Sequence, residues 1–122
     1  MVIGLWGTLN LSGCGTKTEA AAAGVYVDST TPAYLRTGFD LAKTCTQLTG
    51  GSYDDLSVIV MPPAFPCPYY STGCNGEYTE PNIIHVGAYS AWRHEVIHYL
   101  LYVNTGDPDT NHTSSFFTTC VS

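Results

Sequence analysis

Hydrophobic residues recur at intervals of three and four positions in one segment of the first half of the chain. The segment begins at Thr31-Pro32, a residue pair typical of a helix start, and ends before Gly50-Gly51. The spaced residues are Leu35, Phe39, Ala42, Cys45 and Leu48. This period matches one face of an α-helix. It predicts a packed helix of about four turns with Cys45 on its buried side.

A second helix is predicted between Ser90 and Gly106. When successive residues are placed about 100° apart, they separate into two opposite stripes. The apolar stripe consists of Trp92, Val96, Tyr99, Leu100 and Val103. The opposite stripe consists of Ala91, His94, Glu95, His98 and Tyr102. Ser90 is a candidate N-cap and Gly106 a candidate helix end, so one face is expected to join the core and the other to carry chemistry.

Two apolar stretches predict β-strands. Residues 56–61 are expected to form the central strand, and residues 82–86 a second strand with an exposed edge. Residues 25–27 are a short third candidate. Residues 62–81 are rich in Pro, Tyr, Gly and Ser, which predicts a long loop. The expected fold class is α+β, with a small mixed sheet of about three strands, one packing helix, the second helix and disulfide staples.

The N-terminal region is typical of a targeting segment. Residues 2–11 are mostly apolar, too short to span a bilayer, and lead into a Leu-Ser-Gly-Cys sequence that ends at Cys14. This sequence resembles a bacterial lipobox, which implies a signal segment over residues 1–14 and lipid on Cys14. The alternative is an ordinary apolar strand with a free Cys14. Residues 15–24 are expected to be a linker to a domain over residues 25–122, in a cell-envelope lipoprotein or a secreted protein.

If Cys14 carries lipid, four cysteines remain for two disulfides. Of the three possible connectivities we favour Cys67 with Cys74, which closes a local loop, and Cys45 with Cys120, which ties the first helix to the C-terminal region. A cysteine zinc site is the alternative, but the chain contains no Cys-x-x-Cys pair.

The charge balance excludes some partners. The chain of 122 residues has a total of four Lys and Arg residues and a net charge of −6. Nucleic acid and anionic membrane surfaces both attract cation-rich proteins, so we expect neither partner, and membrane contact only through a lipid anchor. The 44% apolar content suffices for one modest core, and we expect a monomer.

The second predicted helix carries the sequence His94-Glu95-Val96-Ile97-His98. Its two His residues lie one turn apart on one face, so both imidazoles can bind a single Zn²⁺, while Glu95 can act as general base on a metal-bound water. The alternative is an amphipathic helix whose two His and one Glu are its solvated face.

A catalytic zinc normally takes three protein ligands and keeps a fourth position for water. After His98 the good candidates are Asp107, Asp109 and His112. We expect His112, because neutral imidazole suits zinc and because the preceding turn-forming residues allow the chain to fold back over the helix. In the alternative His112 is a surface residue, and Asp107 or Asp109 is a ligand or orients an imidazole.

At these residues the chain resembles the zincin metallopeptidases, whose active-site helix carries His-Glu-x-x-His. The resemblance implies that His94 and His98 are ligands, that Glu95 is the general base and that the substrate is a peptide or protein. Metzincins have Gly, and then His or Asp, where this chain has Leu101 and Asn104. Gluzincins take a downstream Glu, and none follows Glu95. The chain therefore resembles a small, divergent zincin outside these subgroups.

The expected function is zinc-dependent hydrolysis of peptide bonds, with the substrate added to the sheet along the edge of residues 82–86. The alternative is a lipid-anchored extracytoplasmic binding module whose zinc site is non-catalytic or absent. Glu95 favours the enzyme, because a purely structural zinc has no use for a carboxylate at that place.

Overall fold

The computed structural model describes residues 31–121. The expected signal segment with Cys14, the linker and the strand over residues 25–27 lie outside these described residues. The helices are α1 (Thr31–Thr46), α2 (Trp92–Thr105) and α3 (Phe116–Thr119), and the strands are β1 (Ser57–Val60), β2 (Gly76–Thr79) and β3 (Ile83–Val86). Short 3-10 helices occupy Tyr53–Asp55 and Tyr89–Ala91.

The three strands form one mixed sheet in the order β1-β3-β2. β1 pairs with β3 in parallel, and β2 pairs with β3 antiparallel, with Glu77 opposite His85. The α+β fold class is therefore confirmed. The strand positions differ from the prediction: the stretch over residues 56–61 forms an edge strand, and the stretch over residues 82–86 forms the central one. The reason is β2, which arises inside the predicted long loop and covers the second side of β3.

The helices α1 and α2 pack on one face of this sheet through a single core cluster. The buried members of the cluster are Leu35, Phe39, Ala42, Ile84, Val86, Trp92, Val96, Tyr99 and Leu100. The indole N–H of Trp92 donates to the Leu35 carbonyl oxygen at 2.8 Å, which ties α2 to α1 inside the core. The predicted apolar stripes are thus confirmed, with three exceptions. Val103 is 42% exposed in the last turn of α2, outside the cluster, and Cys45 is exposed. Leu48 lies beyond the end of α1 at Thr46, where it is partly buried against the cluster.

The ends of α2 agree with the prediction at one end only. Gly106 ends the helix with φ 83°, and its N–H donates to the Tyr102 carbonyl at 2.8 Å. Glycine tolerates this left-handed conformation without steric cost. Ser90 is not the N-cap, because the 3-10 helix Tyr89–Ala91 runs directly into α2 and places Ala91 at the cap position.

Two disulfides staple the described part of the chain, and both favoured pairings are confirmed. Cys45 bonds Cys120 across 75 positions, with the Cα atoms 5.7 Å apart. Cys67 bonds Cys74 across seven positions, with the Cα atoms 5.8 Å apart. Disulfides are typical of proteins that work outside the reducing cytoplasm. No helix among residues 31–121 has the length and apolarity needed to cross a membrane.

Candidate metal centre

Three imidazoles meet beside the first turns of α2. His94 and His98 project from the helix one turn apart, and His112 returns from the loop that follows it. The Nε2 atom of His112 lies 3.0 Å from Nε2 of His94 and 3.1 Å from Nε2 of His98. Nitrogen atoms of all three rings lie within 4.8 Å of one another. The structure thus brings together the three His residues that the sequence predicts as ligands, and this group could hold a metal ion.

The loop that carries His112 is built around Asp109. The Asp109 carboxylate accepts hydrogen bonds from the Thr113 N–H at 3.0 Å, the Thr113 hydroxyl at 2.8 Å and the Ser114 N–H at 2.8 Å. The Thr113 N–H is the main cause that lowers the pKa of Asp109 from its usual value. The N–H of His112 donates to the Asp109 carbonyl at 2.9 Å.

Asp107 and Asp109, the alternative candidates for the third ligand, therefore form hydrogen bonds within the loop. Asp109 organises the turn, and Asp107 Oδ1 accepts from the Asp109 N–H at 2.8 Å. Both residues fix the loop backbone that presents His112, whose φ of 57° lies in the left-handed region. A non-glycine residue adopts such a φ at a cost, which these bonds offset.

A backbone carbonyl fixes the orientation of His98. Its Nδ1 lies 2.6 Å from the Pro108 carbonyl oxygen, which can only accept, so Nδ1 carries the proton. The Nε2 of the neutral ring therefore presents a lone pair to the cluster. Carbonyl oxygens that hold the distal nitrogen of a metal-binding His are common at metal sites.

The close approach of the nitrogen atoms favours a cation among them. His112 Nε2 lies within hydrogen-bonding distance of two other Nε2 atoms, but a neutral imidazole has at most one proton there. That nitrogen has a single in-plane site, which carries either the proton or a lone pair, so it can form a hydrogen bond with one of its two neighbours and the other close contact lacks one. A metal ion would replace these contacts with three favourable bonds.

The rings of His94 and His98 are also in the protonation state that metal binding requires. Burial, with the neighbouring His98 and His112 as smaller causes, lowers the pKa of His94 to about 4. Burial also lowers the pKa of His98 from its usual value. Both rings are therefore neutral at pH 7, and neutral imidazole is the ligand form.

Glu95 lies next to this cluster, buried between α2 and β2. It is 7% exposed, and burial, with Glu77 as a second cause, raises the pKa of its carboxyl to about 8. A Cβ atom on Gly76 would lie 2.8 Å from both Cγ and Oε2 of Glu95, which real Cβ atoms do not tolerate. Position 76 must therefore be glycine for this carboxyl group to lie where it does.

A pocket of about 270 Å³ opens in front of the imidazoles. The Cys67–Cys74 loop contributes Tyr69 and Tyr70, each 66% exposed. The other lining residues come from β2, α2 and the following loop and include Gly76, Glu77, Tyr78, Glu95, Thr110 and the three His residues. Three candidate ligands and a carboxyl group thus share one opening to solvent.

The contributions of β2 and of the C-terminal segment do not follow from the sequence patterns. Gly76, Glu77 and Tyr78 line the pocket because β2 forms within the segment that was predicted to be a loop. Tyr78 and Thr79, which favour strands, stand shortly before the Pro81 turn and were the available signal. Phe117 contacts all three imidazoles, and nothing in its local pattern indicates this.

Comparisons of this chain with protein-family profiles, with curated proteins and with solved structures found no match. The case for its function therefore depends on the residues and geometry of the site itself.

Proposed function

We propose that this protein is a zinc-dependent peptidase, related in its motif to the zincins, that hydrolyses peptide bonds. The observation that carries the proposal is the meeting of three imidazole Nε2 atoms, two of the contacts being 3.0 and 3.1 Å, in the pocket that also contains Glu95. Ligands about 2.0–2.1 Å from a tetrahedral zinc lie about 3.3 Å apart, and the two contacts that His112 makes are close to this spacing.

The ligand count favours a catalytic site over a structural one. Structural zinc sites are closed by four protein ligands, whereas catalytic sites have three and an open position. Among residues 31–121, the group of side chains that could hold a metal consists of His94, His98 and His112. Bound there, zinc would supply Lewis acidity, which activates water and polarises a carbonyl group.

Glu95 is the proton carrier of the proposed reaction. Its carboxyl group accepts a proton from the attacking water and delivers it to the leaving amine. Burial raises the pKa of this carboxyl group to about 8 in the described structure, and a zinc ion bound nearby would lower it, because a positive charge favours the carboxylate form that accepts the proton. The Gly76 position permits the close contact with β2 that holds the carboxyl group in the pocket.

The substrate would bind along β2 rather than along the stretch of residues 82–86. β3 is paired on both sides, while β2 is an edge strand whose Gly76 and Tyr78 line the pocket. An extended peptide can add to such an edge through backbone hydrogen bonds. The exposed Tyr69 and Tyr70 would then border the bound peptide. The lipid anchor on Cys14 and an extracytoplasmic location belong to this proposal as predictions.

The test compares the wild-type protein with Glu95→Gln, using a mixed peptide library whose products are identified by mass spectrometry. We expect the variant to keep its zinc and to lose hydrolysis by about 10²–10⁴-fold, the usual contribution of a general base. Glu80→Gln is the matched control, because Glu80 is an exposed carboxylate at the other end of β2. Equal activity of Glu95→Gln and wild type would remove Glu95 from the mechanism. Bound zinc without hydrolysis in the wild type would favour a binding module.

A further inference from the structure

Phe117 contacts the candidate metal centre more extensively than a single packing contact would. Its ring centroid lies 4.9 Å from that of His94, 4.6 Å from His98 and 4.8 Å from His112. The imidazole centroids lie 5.0, 4.8 and 4.9 Å from one another. Each of the four rings therefore touches the other three, and Phe117 completes a compact four-ring cluster.

Phe117 connects the imidazoles to an apolar cluster of the C-terminal segment. Its ring packs against an apolar cluster whose buried members are Ile97, Leu101 and Cys120. Ile97 and Leu101 lie one turn apart on α2, beside the helix face that carries the His pair. Within the described chain, the residues that line the pocket include all three His residues but not Phe117. The phenyl ring thus contacts the imidazoles and the apolar cluster at once.

The segment that carries Phe117 is fastened to the rest of the domain. The helix α3 spans only Phe116–Thr119, and the N–H of Cys120 donates to the Phe116 carbonyl at 2.9 Å. Cys120 is covalently bound to Cys45 of α1. A four-residue helix has little stability of its own, so this disulfide and the apolar cluster hold the phenyl ring in place.

We propose that Phe117 is the positioning residue of the metal centre. Its ring packs against the imidazole cluster and restricts the ring planes of His94, His98 and His112, so that their Nε2 lone pairs converge before a metal arrives. The proposal rests on the proposed metal site.

Two physical effects support this role. A His side chain has two rotatable bonds, and His112 is an exposed residue on a loop, so fixing its ring only on metal binding would cost conformational entropy. Contact with Phe117 imposes that order in advance, which strengthens binding. The apolar ring also excludes water from its side of the imidazoles, and an apolar shell around a metal site controls solvent access to it.

The experiment compares zinc affinities of the full-length wild type, Phe117→Ala, Phe117→Leu and Phe116→Ala. Phe116 is the matched control: it is the preceding residue, is also partly buried and packs against the same apolar cluster. Phe116 differs from Phe117 in its contacts with the imidazoles. Among the described residues, the phenyl and phenol rings in contact with the three imidazoles are those of Tyr78 and Phe117. Affinity is measured by competition with a chromophoric chelator, and thermal unfolding with chelator present reports metal-free stability.

We expect Phe117→Ala to weaken zinc binding by about 10–100-fold, the range found when groups that orient metal ligands are removed. Phe116→Ala is expected to lower metal-free stability to a similar degree but to change zinc affinity by no more than about threefold. Substitution of cobalt for zinc adds a spectroscopic readout: the Phe117→Ala spectrum should differ from wild type in its visible bands, and the Phe116→Ala spectrum should not.

Phe117→Leu keeps the proposal testable if Phe117→Ala does not fold. Leucine retains apolar contact with Ile97 and Leu101 but lacks a flat ring, so we expect zinc binding about 10-fold weaker than wild type. Wild-type affinity in a folded Phe117 variant would overturn the proposal and leave the metal site standing. Absence of zinc binding in the wild type would overturn both this proposal and the proposed function.

Discussion

Removing the long-range disulfide should destabilise this domain more than removing the local one. In the chain-entropy description, a disulfide stabilises by restricting the unfolded chain, and the effect grows with the logarithm of loop length. For the separation of 75 between Cys45 and Cys120 the stabilisation is about 4.5 kcal/mol, and for the separation of seven between Cys67 and Cys74 it is about 2.4 kcal/mol. The expected difference is therefore about 2 kcal/mol.

The assay is urea unfolding at 25 °C of two double variants in which each cysteine pair is replaced by alanine, with chelator present. Alanine avoids placing a hydroxyl group at Cys120, which is 3% exposed, or at Cys74, which is 7% exposed. A loss of about 4.5 kcal/mol is a large part of the 5–15 kcal/mol typical of a domain, so a partly unfolded variant at low urea is an expected result for the long-range pair.

Zinc binding should also be affected more by removal of the long-range disulfide than by removal of the local one. The Cys45–Cys120 disulfide holds the segment that carries Phe117, so we expect its removal also to weaken zinc binding, and removal of Cys67–Cys74 to leave the affinity near wild type. Equal destabilisation by the two double variants, or a larger effect of the local pair, would refute the loop-length reasoning.

Three further substitutions test the site. Gly76→Ala should lower kcat at least about 10-fold and keep the zinc content, because the new Cβ would lie 2.8 Å from Cγ and Oε2 of Glu95 and displace the carboxyl group; wild-type kcat would contradict this. In metal-free protein, Glu95→Gln should have a higher free energy of unfolding than wild type, and the difference should grow between about pH 5 and pH 8. The native pKa of about 8 lies above the unfolded value of 4.5, so the native state binds the extra proton in this range and loses stability as the pH rises. The gain at pH 8 is about 4 kcal/mol by urea unfolding, and a gain independent of pH would exclude the burial argument. His112→Ala should weaken zinc binding far more than Asp107→Ala in a chelator competition, and the reverse order would show that the third ligand is wrong.

Local periodicity predicted the helices well. The spacing that begins at Leu35 and the stripe that begins at Trp92 each correspond to a buried helix face, because a helix has a fixed period that does not depend on its partners. The period does not show where a helix leaves the core. The exposure of Val103 and Cys45 therefore could not be predicted from it.

The order of the strands could not be predicted in the same way. Whether a strand lies at the centre or the edge depends on which strands pair with it, and β2 is a four-residue strand that contains Gly76 and Glu77. These residue types are depleted in strands, so the propensity of β2 is weak and its pairing with β3 decides its conformation. Without β2, the stretch over residues 82–86 has the appearance of an edge.

The candidate metal centre also contains some residues that the sequence predicts and others that depend on the tertiary structure. The positions of His94 and His98 follow from helix geometry, and His112 was chosen for its chemistry. The Pro108 carbonyl and Phe117 approach the imidazoles because the chain after Gly106 folds back and is tied to Cys45, which is a tertiary event. Such contacts have no local pattern, and so the residues that orient the ligands were found only in the structure.

The most direct test of this account is the zinc content of the purified full-length protein with its disulfides intact, measured by elemental analysis beside His94→Ala. We predict one zinc per chain in the wild type and little in the variant, because the three imidazoles act together. No zinc in either protein, even after incubation with the metal, would contradict the account and leave His94 and His98 as polar residues of an amphipathic helix.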